Sequence, residues 1–153
     1  MLRVRIPGAD DLVLEHLVLD VNGTLSDRGV MIPGVAEEVA SLGAGLRVHV
    51  LSADTFGGAE RIAKGCEASF RRVGTGQEKV AEIERLGAGS CAAIGNGRND
   101  AAMLDAAALG IVVVGPEGAH ASAVRAADVV TGSIGDALAL LADTTALAAV
   151  LRP

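Results

Sequence analysis

Residues 17–27 read Leu-Val-Leu-Asp-Val-Asn-Gly-Thr-Leu-Ser-Asp, and the rest of the chain is arranged around them. The apolar run before Asp20 predicts a buried strand of a parallel sheet that ends in a carboxylate. Asn22 and Gly23 tolerate positive φ, so a tight turn follows. Open α/β sheets bind ligands at this end of their strands, beside the free N–H groups of such loops. Asp20 is therefore a candidate nucleophile for a phosphoryl group; the alternative is an Asp that only caps the next turn.

Composition restricts the classes of function. The chain has 153 residues, enough for one domain with a sizeable core, and its net charge of −6 comes without a basic cluster, so we expect no nucleic-acid partner. The longest apolar run, around residues 106–114, is too short to span a bilayer, and the N-terminus lacks a secretory signal, so we expect no membrane association. Cys66 and Cys91 are typical of buried thiols in a reducing compartment, and we expect a cytoplasmic protein.

Predicted strands and helices alternate along almost the whole chain. After a hairpin at 2–6 and 12–15, strands are predicted at 16–20, 46–51, 68–73, 91–94, 110–114 and 128–131, with helices beginning near 33, 57, 77, 100, 118 and 134. Alternation of this kind is typical of a parallel sheet with helices on both faces. We predict one α/β domain, residues 1–153, with a Rossmann-like three-layer α/β/α architecture, a mainly parallel sheet and an N-terminal β-hairpin.

Polar residues that could take part in catalysis or bind ligands follow several of the predicted strands. Asp20, Ser52 and the loop 96–100 each come directly after an apolar strand, and Lys79 lies near the start of its helix. The carboxyl ends of parallel strands share one edge of the sheet, so these residues are predicted to converge. Asp20 and Asp100 carry the oxygen ligands that Mg²⁺ prefers, and Ser52 and Lys79 can bind phosphoryl oxygens as charge develops on them. A lone Ser or Lys is more often solvated surface, but four such residues together predict phosphoryl transfer.

The same residues resemble the motifs of the haloacid dehalogenase (HAD) superfamily over almost the whole chain. Its first motif is an apolar strand followed by Asp-x-Asp-Gly-Thr-Leu, which here reads Asp-Val-Asn-Gly-Thr-Leu at 20–25. Ser52 matches the second motif, Lys79 the third, and Gly-Asn-Gly-Arg-Asn-Asp at 95–100 the fourth, usually Gly-Asp-Gly-x-Asn-Asp. Within the superfamily the chain is similar to the phosphorylation domain of P-type ATPases, which shares the later Ala-Ala-Asp-Val-Val at 126–130. Proteins of this kind are called soluble P-type ATPase-like.

The resemblance implies a Mg²⁺-dependent phosphohydrolase that acts through an aspartyl-phosphate on Asp20. The implied catalytic residues are Asp20, Asn22, Ser52 and Lys79, the phosphate-binding residues Gly23, Thr24, Ser52, Ala53 and Lys79, and the metal ligands Asp20, Asn22, Asn96 and Asp100. These roles remain expectations drawn from the matched motifs.

Two positions depart from the superfamily pattern. Asn22 stands where phosphatases carry the Asp that protonates the leaving group and activates water, a contribution typically worth ~10²–10⁴-fold. Asn96 stands where a metal-binding Asp is usual; its amide oxygen can ligate Mg²⁺ but without the charge that raises affinity. We therefore expect slow turnover. P-type pumps have Thr in place of Asn22 and keep a long-lived aspartyl-phosphate, so stable phosphorylation is also conceivable, and both replacements equally fit a protein that no longer catalyses.

The spacing between motifs leaves no room for a further domain. The gaps 25–51 and 53–79 are too short for a nucleotide-binding or cap domain, so we expect a capless member that is not a pump. Capless sugar-acid phosphatases of this superfamily are tetramers, which suggests a homo-oligomer here and a small phosphorylated metabolite as substrate, although an uncovered site also leaves a macromolecular substrate open. The alternative function is a non-catalytic HAD-like oligomeric binding or regulatory protein. A receiver-like phosphoacceptor fits less well, because receivers place the acceptor on a later strand and lack the second acidic loop.

Overall fold

A computed structural model describes residues 1–153, and strands and helices alternate along most of this length. The strands are β1 (Leu2–Val4), β2 (Leu12–Leu14), β3 (His16–Leu19), β4 (Ser26–Asp27), β5 (Val30–Met31), β6 (Arg47–Ser52), β7 (Ser69–Arg72), β8 (Cys91–Gly95), β9 (Leu109–Val113) and β10 (Val129–Thr131). The helices are α1 (Val35–Gly43), α2 (Ala59–Gly65), α3 (Gly76–Leu86), α4 (Ala101–Ala106), α5 (Ala121–Ala126), α6 (Ile134–Ala142) and α7 (Thr144–Leu151), with 3₁₀ turns at Ala88–Ser90 and Arg98–Asp100.

Six strands form one parallel sheet in the order β10-β9-β8-β3-β6-β7. The central strand β3 pairs with β6 on one side and with β8 on the other, so that Leu17 lies opposite both Val48 and Ala92. Because all six strands run in one direction, their carboxyl ends lie at a single edge. The predicted α/β architecture is confirmed.

Helices cover both faces of the sheet. Alternate residues of β3 face opposite sides: Leu17 and Leu19 belong to a core cluster that includes side chains of α1, α2, α6 and α7. Val18 belongs to a second cluster that includes side chains of α3, α4 and α5. Every residue of β3 is buried, which explains why its sequence is a continuous apolar run rather than an alternating one.

Two antiparallel hairpins lie outside the central sheet. The N-terminal pair β1–β2 confirms the prediction for the start of the chain. The second pair, β4–β5, follows the Asp20 loop and was not predicted. Its two-residue strands are too short to show a periodicity, and its turn places Arg28 and Gly29 at φ values of +48° and +84°. Asn or Asp usually occupies the first of these positions, so Arg28 gave no recognisable turn signal.

Helix boundaries differ from prediction at three places. Helix α2 begins at Ala59 rather than near residue 57. Helix α1 begins at Val35 after Gly34 at φ +84°, rather than at Pro33. Helix α5 begins at Ala121 instead of residue 118, because His120 forms its N-cap by accepting a hydrogen bond from the Ser122 N–H. Residues 115–120 are therefore a loop, here called the 115–120 loop.

No single helix has the length and apolar composition of a membrane span. Helices α6 and α7 reach that length only as a pair, and the pair is bent by 102°. Cys66 and Cys91 are both buried and free, as expected for structural thiols.

Candidate active site

The candidate site lies where β3, β6 and β8 end side by side. Asp20 follows β3, Ser52 is the last residue of β6, and Asn96 follows β8. All three are buried, and the Asp20 N–H donates to the Ile94 carbonyl on β8 at 3.0 Å, which continues the parallel ladder up to the carboxylate. The predicted convergence of these residues is therefore a direct consequence of strand register.

Lys79 joins the two acidic residues of the site. Its Nζ atom donates to Asp20 Oδ1 at 2.7 Å and to Asp100 Oδ1 at 2.6 Å. The first turn of α3 is fixed by a capping box, in which Thr75 Oγ1 accepts from the Glu78 N–H and the Glu78 carboxylate accepts from the Thr75 N–H. This turn directs the Lys79 side chain toward the edge of the sheet, and residues 74–76 form the start of the helix.

The charged groups of the site are almost completely shielded from solvent. Lys79 and Asp100 are completely buried and Asp20 is 6% exposed. Burial, followed by the charge of Asp100, raises the pKa of Asp20 to about 7, and Lys79 only partly opposes this. Burial acts to lower the pKa of Lys79, but the two carboxylates outweigh it and raise that pKa above its ordinary value. The Lys79 ammonium therefore stays charged and donates hydrogen bonds to both carboxyl groups.

Asp100 is held by the loop that precedes it. Its Oδ2 atom accepts from the Asn96 N–H at 3.0 Å and from the Gly97 N–H at 2.8 Å, while Oδ1 accepts from Lys79. A Cβ atom at Gly95 would lie 2.6 Å from Asp100 Cγ, so only glycine leaves room for this carboxylate. The loop therefore fixes both oxygens of Asp100 in place.

Ser52 is oriented by a residue that sequence reasoning missed. The Asp54 N–H donates to Ser52 Oγ at 2.9 Å, which leaves the hydroxyl hydrogen free to donate to a ligand. Asp54 has φ +57°; its carboxylate accepts from the Ala59 N–H at 2.8 Å and from Arg72 at 2.9 Å. An Asp two residues after a strand-ending Ser is the available sequence signal, since short polar side chains favour such turns. Asp54 thus shapes the turn that contains the predicted phosphate-binding residue Ala53.

The loop after Asp20 packs against the loop after β8. Thr24 Oγ1 lies 3.4 Å from Asp20 Oδ2 and 3.3 Å from Asn96 Oδ1, so its single hydrogen is shared between two acceptors. Gly23 has φ +78°, and a Cβ atom there would lie 2.3 Å from Asn96 Nδ2. Asn22 is partly exposed, and its side chain forms no hydrogen bond within the chain.

The site offers oxygen ligands that suit a hard divalent cation, but only two of them are charged. No three His, Cys, Asp or Glu side chains converge into a metal centre. The site instead offers two carboxylates, Asp20 and Asp100, and the amide oxygen of Asn96, all oxygen donors of the kind that bind Mg²⁺. Burial and then the charge of Asp100 raise the pKa of Asp20, and a bound cation would oppose both effects by favouring the ionised carboxylate.

A cavity of about 680 Å³ adjoins the Asp20 loop. It lies between the β4–β5 hairpin and the beginnings of α1 and α6, and Gly23 and Thr24 form part of its wall. The remaining lining is apolar except for a few polar and charged groups, among them Asp27, Arg28 and Glu38. Space for an organic group therefore exists beside the loop that follows the candidate nucleophile.

Comparisons with known proteins agree with this fold. No protein-family model matches the sequence. An uncharacterized protein of Methanocaldococcus jannaschii is 47% identical over 60 residues; the match covers 39% of this chain, and the chain spans less than two thirds of that relative, 64% of its length. The crystal structure of 3-deoxy-D-manno-octulosonate 8-phosphate phosphatase from Moraxella catarrhalis, in complex with magnesium ion, phosphate ion and KDO, is similar with a TM-score of 0.70 at 18% identity, covering 86% of this chain and 87% of that one. The catalytic domain of a CPx-ATPase is similar with a TM-score of 0.63 at 25% identity, over 74% of this chain and 46% of that one.

Proposed function

The chain has the fold of the HAD superfamily, and from this premise we propose that it is a slow, Mg²⁺-dependent phosphohydrolase that acts through a phosphoryl group on Asp20. The observation that supports the proposal best is the buried Lys79 ammonium bonded to both Asp20 and Asp100. A fold needs no such arrangement for stability, because buried ion pairs rarely contribute net free energy. Its retention at the carboxyl edge of the sheet favours a role in chemistry.

In the first step an Asp20 carboxylate oxygen attacks phosphorus, and the bond from phosphorus to the leaving oxygen breaks. The Ser52 hydroxyl, whose hydrogen is free, and the Lys79 ammonium bind the phosphoryl oxygens as negative charge spreads over them. Gly23, Thr24 and Ala53 are the other proposed phosphate-binding residues. The N–H groups of Gly23 and Thr24 already donate to the Ser26 and Val21 carbonyls, at 2.9 and 3.1 Å, so Ala53 is proposed to supply the backbone N–H donor and Thr24 to contribute its hydroxyl. The leaving oxygen departs as an anion or takes its proton from water, because the Asn22 amide has none to give.

In the second step water attacks the phosphorus of the aspartyl-phosphate. The bond to Asp20 breaks, the carboxylate is restored, inorganic phosphate leaves, and the proton of the attacking water passes to solvent. Asn22 cannot accept that proton, so this step is expected to be slow and the phosphorylated form long-lived. Acyl and aryl phosphates, whose leaving groups need no proton, are expected to be better substrates than alkyl phosphates.

The proposed metal ligands are Asp20, Asn22, Asn96 and Asp100. When bound, Mg²⁺ would neutralise charge on the phosphoryl oxygens. The protein's own part is to hold two carboxylates at fixed positions, through Lys79 and through the N–H groups of Asn96 and Gly97. With amides in place of two usual carboxylates, we expect weaker affinity for the cation.

A small phosphorylated metabolite is the proposed substrate class, since the cavity of about 680 Å³ beside Thr24 is of the size that binds small molecules. A homo-oligomer, working in the cytoplasm, is also proposed. Val30 and Phe56 are large, apolar and more than half exposed, and Phe56 packs against Gly29 of the β4–β5 hairpin next to the site. A second copy could cover this surface. Light scattering should give a multiple of the mass of 15.3 kDa; a monomer would contradict the oligomer.

The direct test of the function is release of phosphate from acetyl phosphate and from an aryl phosphate, measured with Mg²⁺ and with EDTA. We expect slow, Mg²⁺-dependent release and, with ³²P-labelled acetyl phosphate, a protein-bound label that hydroxylamine removes, as it does from acyl phosphates. Absence of both release and label would contradict the proposal.

Asn22 also favours a second candidate, a non-catalytic HAD-like oligomeric protein that binds a phosphorylated ligand or a partner. The side chain that would complete acid–base catalysis is missing, while the phosphate-binding groups are present. Phosphate binding without turnover would support this candidate.

Asn22→Asp separates the two candidates. We expect it to raise kcat for an alkyl phosphate by about tenfold, less than the usual ~10²–10⁴ for a general acid–base because the new carboxyl enters a site that already holds two carboxylates. The gain should be smaller for an aryl phosphate. Gln77→Glu, the same change from an amide to a carboxyl at an exposed position of α3, is the control and should leave kcat unchanged. No gain with either ester would mean that metal binding or geometry, rather than the missing acid, limits the rate.

A further inference from the structure

The Asn96 side chain links the 115–120 loop to the loop that follows Asp20. Its Nδ2 atom donates to the Gly118 carbonyl at 3.0 Å, and its Oδ1 atom accepts from Thr24 Oγ1 at 3.3 Å. The Gly118 carbonyl can only accept, so the amide nitrogen must face it and the amide oxygen must face Thr24. An aspartate at this position would bring a carboxylate oxygen against that carbonyl. The Asn side chain is therefore specifically suited to this contact.

The 115–120 loop is held by more than this one bond. The His120 N–H donates to the Asn96 carbonyl at 2.8 Å, and the Glu117 carboxylate accepts from the Arg28 N–H at the turn of the β4–β5 hairpin. A Cβ atom at Gly115 would lie 3.7 Å from the Gly23 carbonyl, so the loop passes close to the Asp20 loop. The contacts of Gly118 and His120 with Asn96, and of Glu117 with the hairpin, place the loop beside the segment that follows Asp20.

We propose that Asn96 is a positioning residue, whose carboxamide holds the 115–120 loop beside Gly23 and so limits the access of water to Asp20. The role rests on the proposed function and comes in addition to any contact of Asn96 with a metal. It explains the amide physically: the replacement of the usual carboxylate gains a donor for the Gly118 carbonyl, in a chain whose motif spacing leaves no room for a cap domain.

Hydrogen–deuterium exchange tests the contact without any need for activity. With EDTA present, we expect Asn96→Asp to speed exchange of the Gly118 and His120 amides by about ten- to hundredfold, because a buried donor is lost and a repulsive pair is formed. Glu117→Ala, which removes the contact to the hairpin, should speed exchange of the Arg28 amide. Gln77→Glu adds the same charge at an exposed position of α3 and should leave exchange of these amides unchanged. Unchanged exchange in Asn96→Asp would overturn the proposal.

The lifetime of the phosphorylated protein tests the effect on chemistry. We expect the ³²P label on Asp20 to decay at least about threefold faster in both Asn96→Asp and Glu117→Ala, since water reaches a loosened site more readily. Faster exchange with an unchanged decay rate would show a purely structural contact and would overturn the positioning role. If wild-type protein takes no label, the proposed function fails, and the exchange result alone then supports or overturns the contact between Asn96 and the loop.

Discussion

Asp20→Asn is expected to abolish release of phosphate from acetyl phosphate and aryl phosphates, a loss of at least about 10⁴-fold, together with the covalent label. An amide oxygen of the same size cannot act as the nucleophile, because it carries no full negative charge. The amide can still accept the hydrogen bond from Lys79, now 2.7 Å from Asp20 Oδ1, so the surrounding geometry should survive. Steady-state release and ³²P incorporation measure the two losses independently.

The folded state provides the control for this substitution. The pKa of Asp20 is raised to about 7 by burial and by Asp100, so the ionised carboxylate is a cost to the fold rather than a support. Asp20→Asn should therefore be at least as stable as the wild type at about pH 8. Asp105→Asn, at an exposed position on α4, should retain both activity and label. Label that persists in Asp20→Asn would exclude this residue as the acceptor.

The parts of the site that sequence predicts are those fixed by strand order. Asp20, Ser52 and Asn96 each lie at the end of an apolar strand. Parallel pairing of β3 with β6 and β8 brings these strand ends to one edge, independently of the conformations of the loops. Lys79 was predicted from its place near the start of its helix, and in the structure a capping box at Thr75 fixes that first turn of α3. Long apolar runs and helix starts are strong local sequence patterns, and they are enough to place these residues at the edge of the sheet.

The parts that sequence does not predict depend on contacts between loops. The β4–β5 hairpin has strands of two residues and a turn without Asn or Asp, so no local pattern marks it. The bond between Asn96 and Gly118 joins residues 22 positions apart whose backbones are both irregular. The motif suggests a metal ligand at residue 96; that its amide also holds the 115–120 loop follows only from the three-dimensional arrangement.

Lys79→Met is expected to cause the largest loss of stability among single substitutions at this site. Methionine matches the length of lysine but leaves the Asp20 and Asp100 carboxylates buried without a cation. Removing one partner from a buried ionic cluster typically costs about 3–5 kcal/mol. The chain has no Trp or Tyr, so urea unfolding followed by far-UV circular dichroism is the suitable measurement. Lys64→Met, which changes the exposed lysine of α2, should unfold like the wild type.

The pH dependence of this loss identifies its cause. In the wild type the pKa of Asp20 already lies near 7 against an ordinary value of 3.8, and losing the Lys79 charge raises it further. A carboxyl with a raised pKa in the folded state binds its proton there first, so folding is favoured at low pH and penalised as pH rises through that pKa. The deficit of Lys79→Met should therefore be largest at about pH 8 without divalent cation and should shrink by about half or more at about pH 5.5. Added Mg²⁺ should reduce the deficit at about pH 8, because a cation held by Asp20 and Asp100 would supply the positive charge that the two carboxylates have lost. An equal deficit under all three conditions would mean that Lys79 acts through packing alone, and the charge balance assigned to this site would then be wrong.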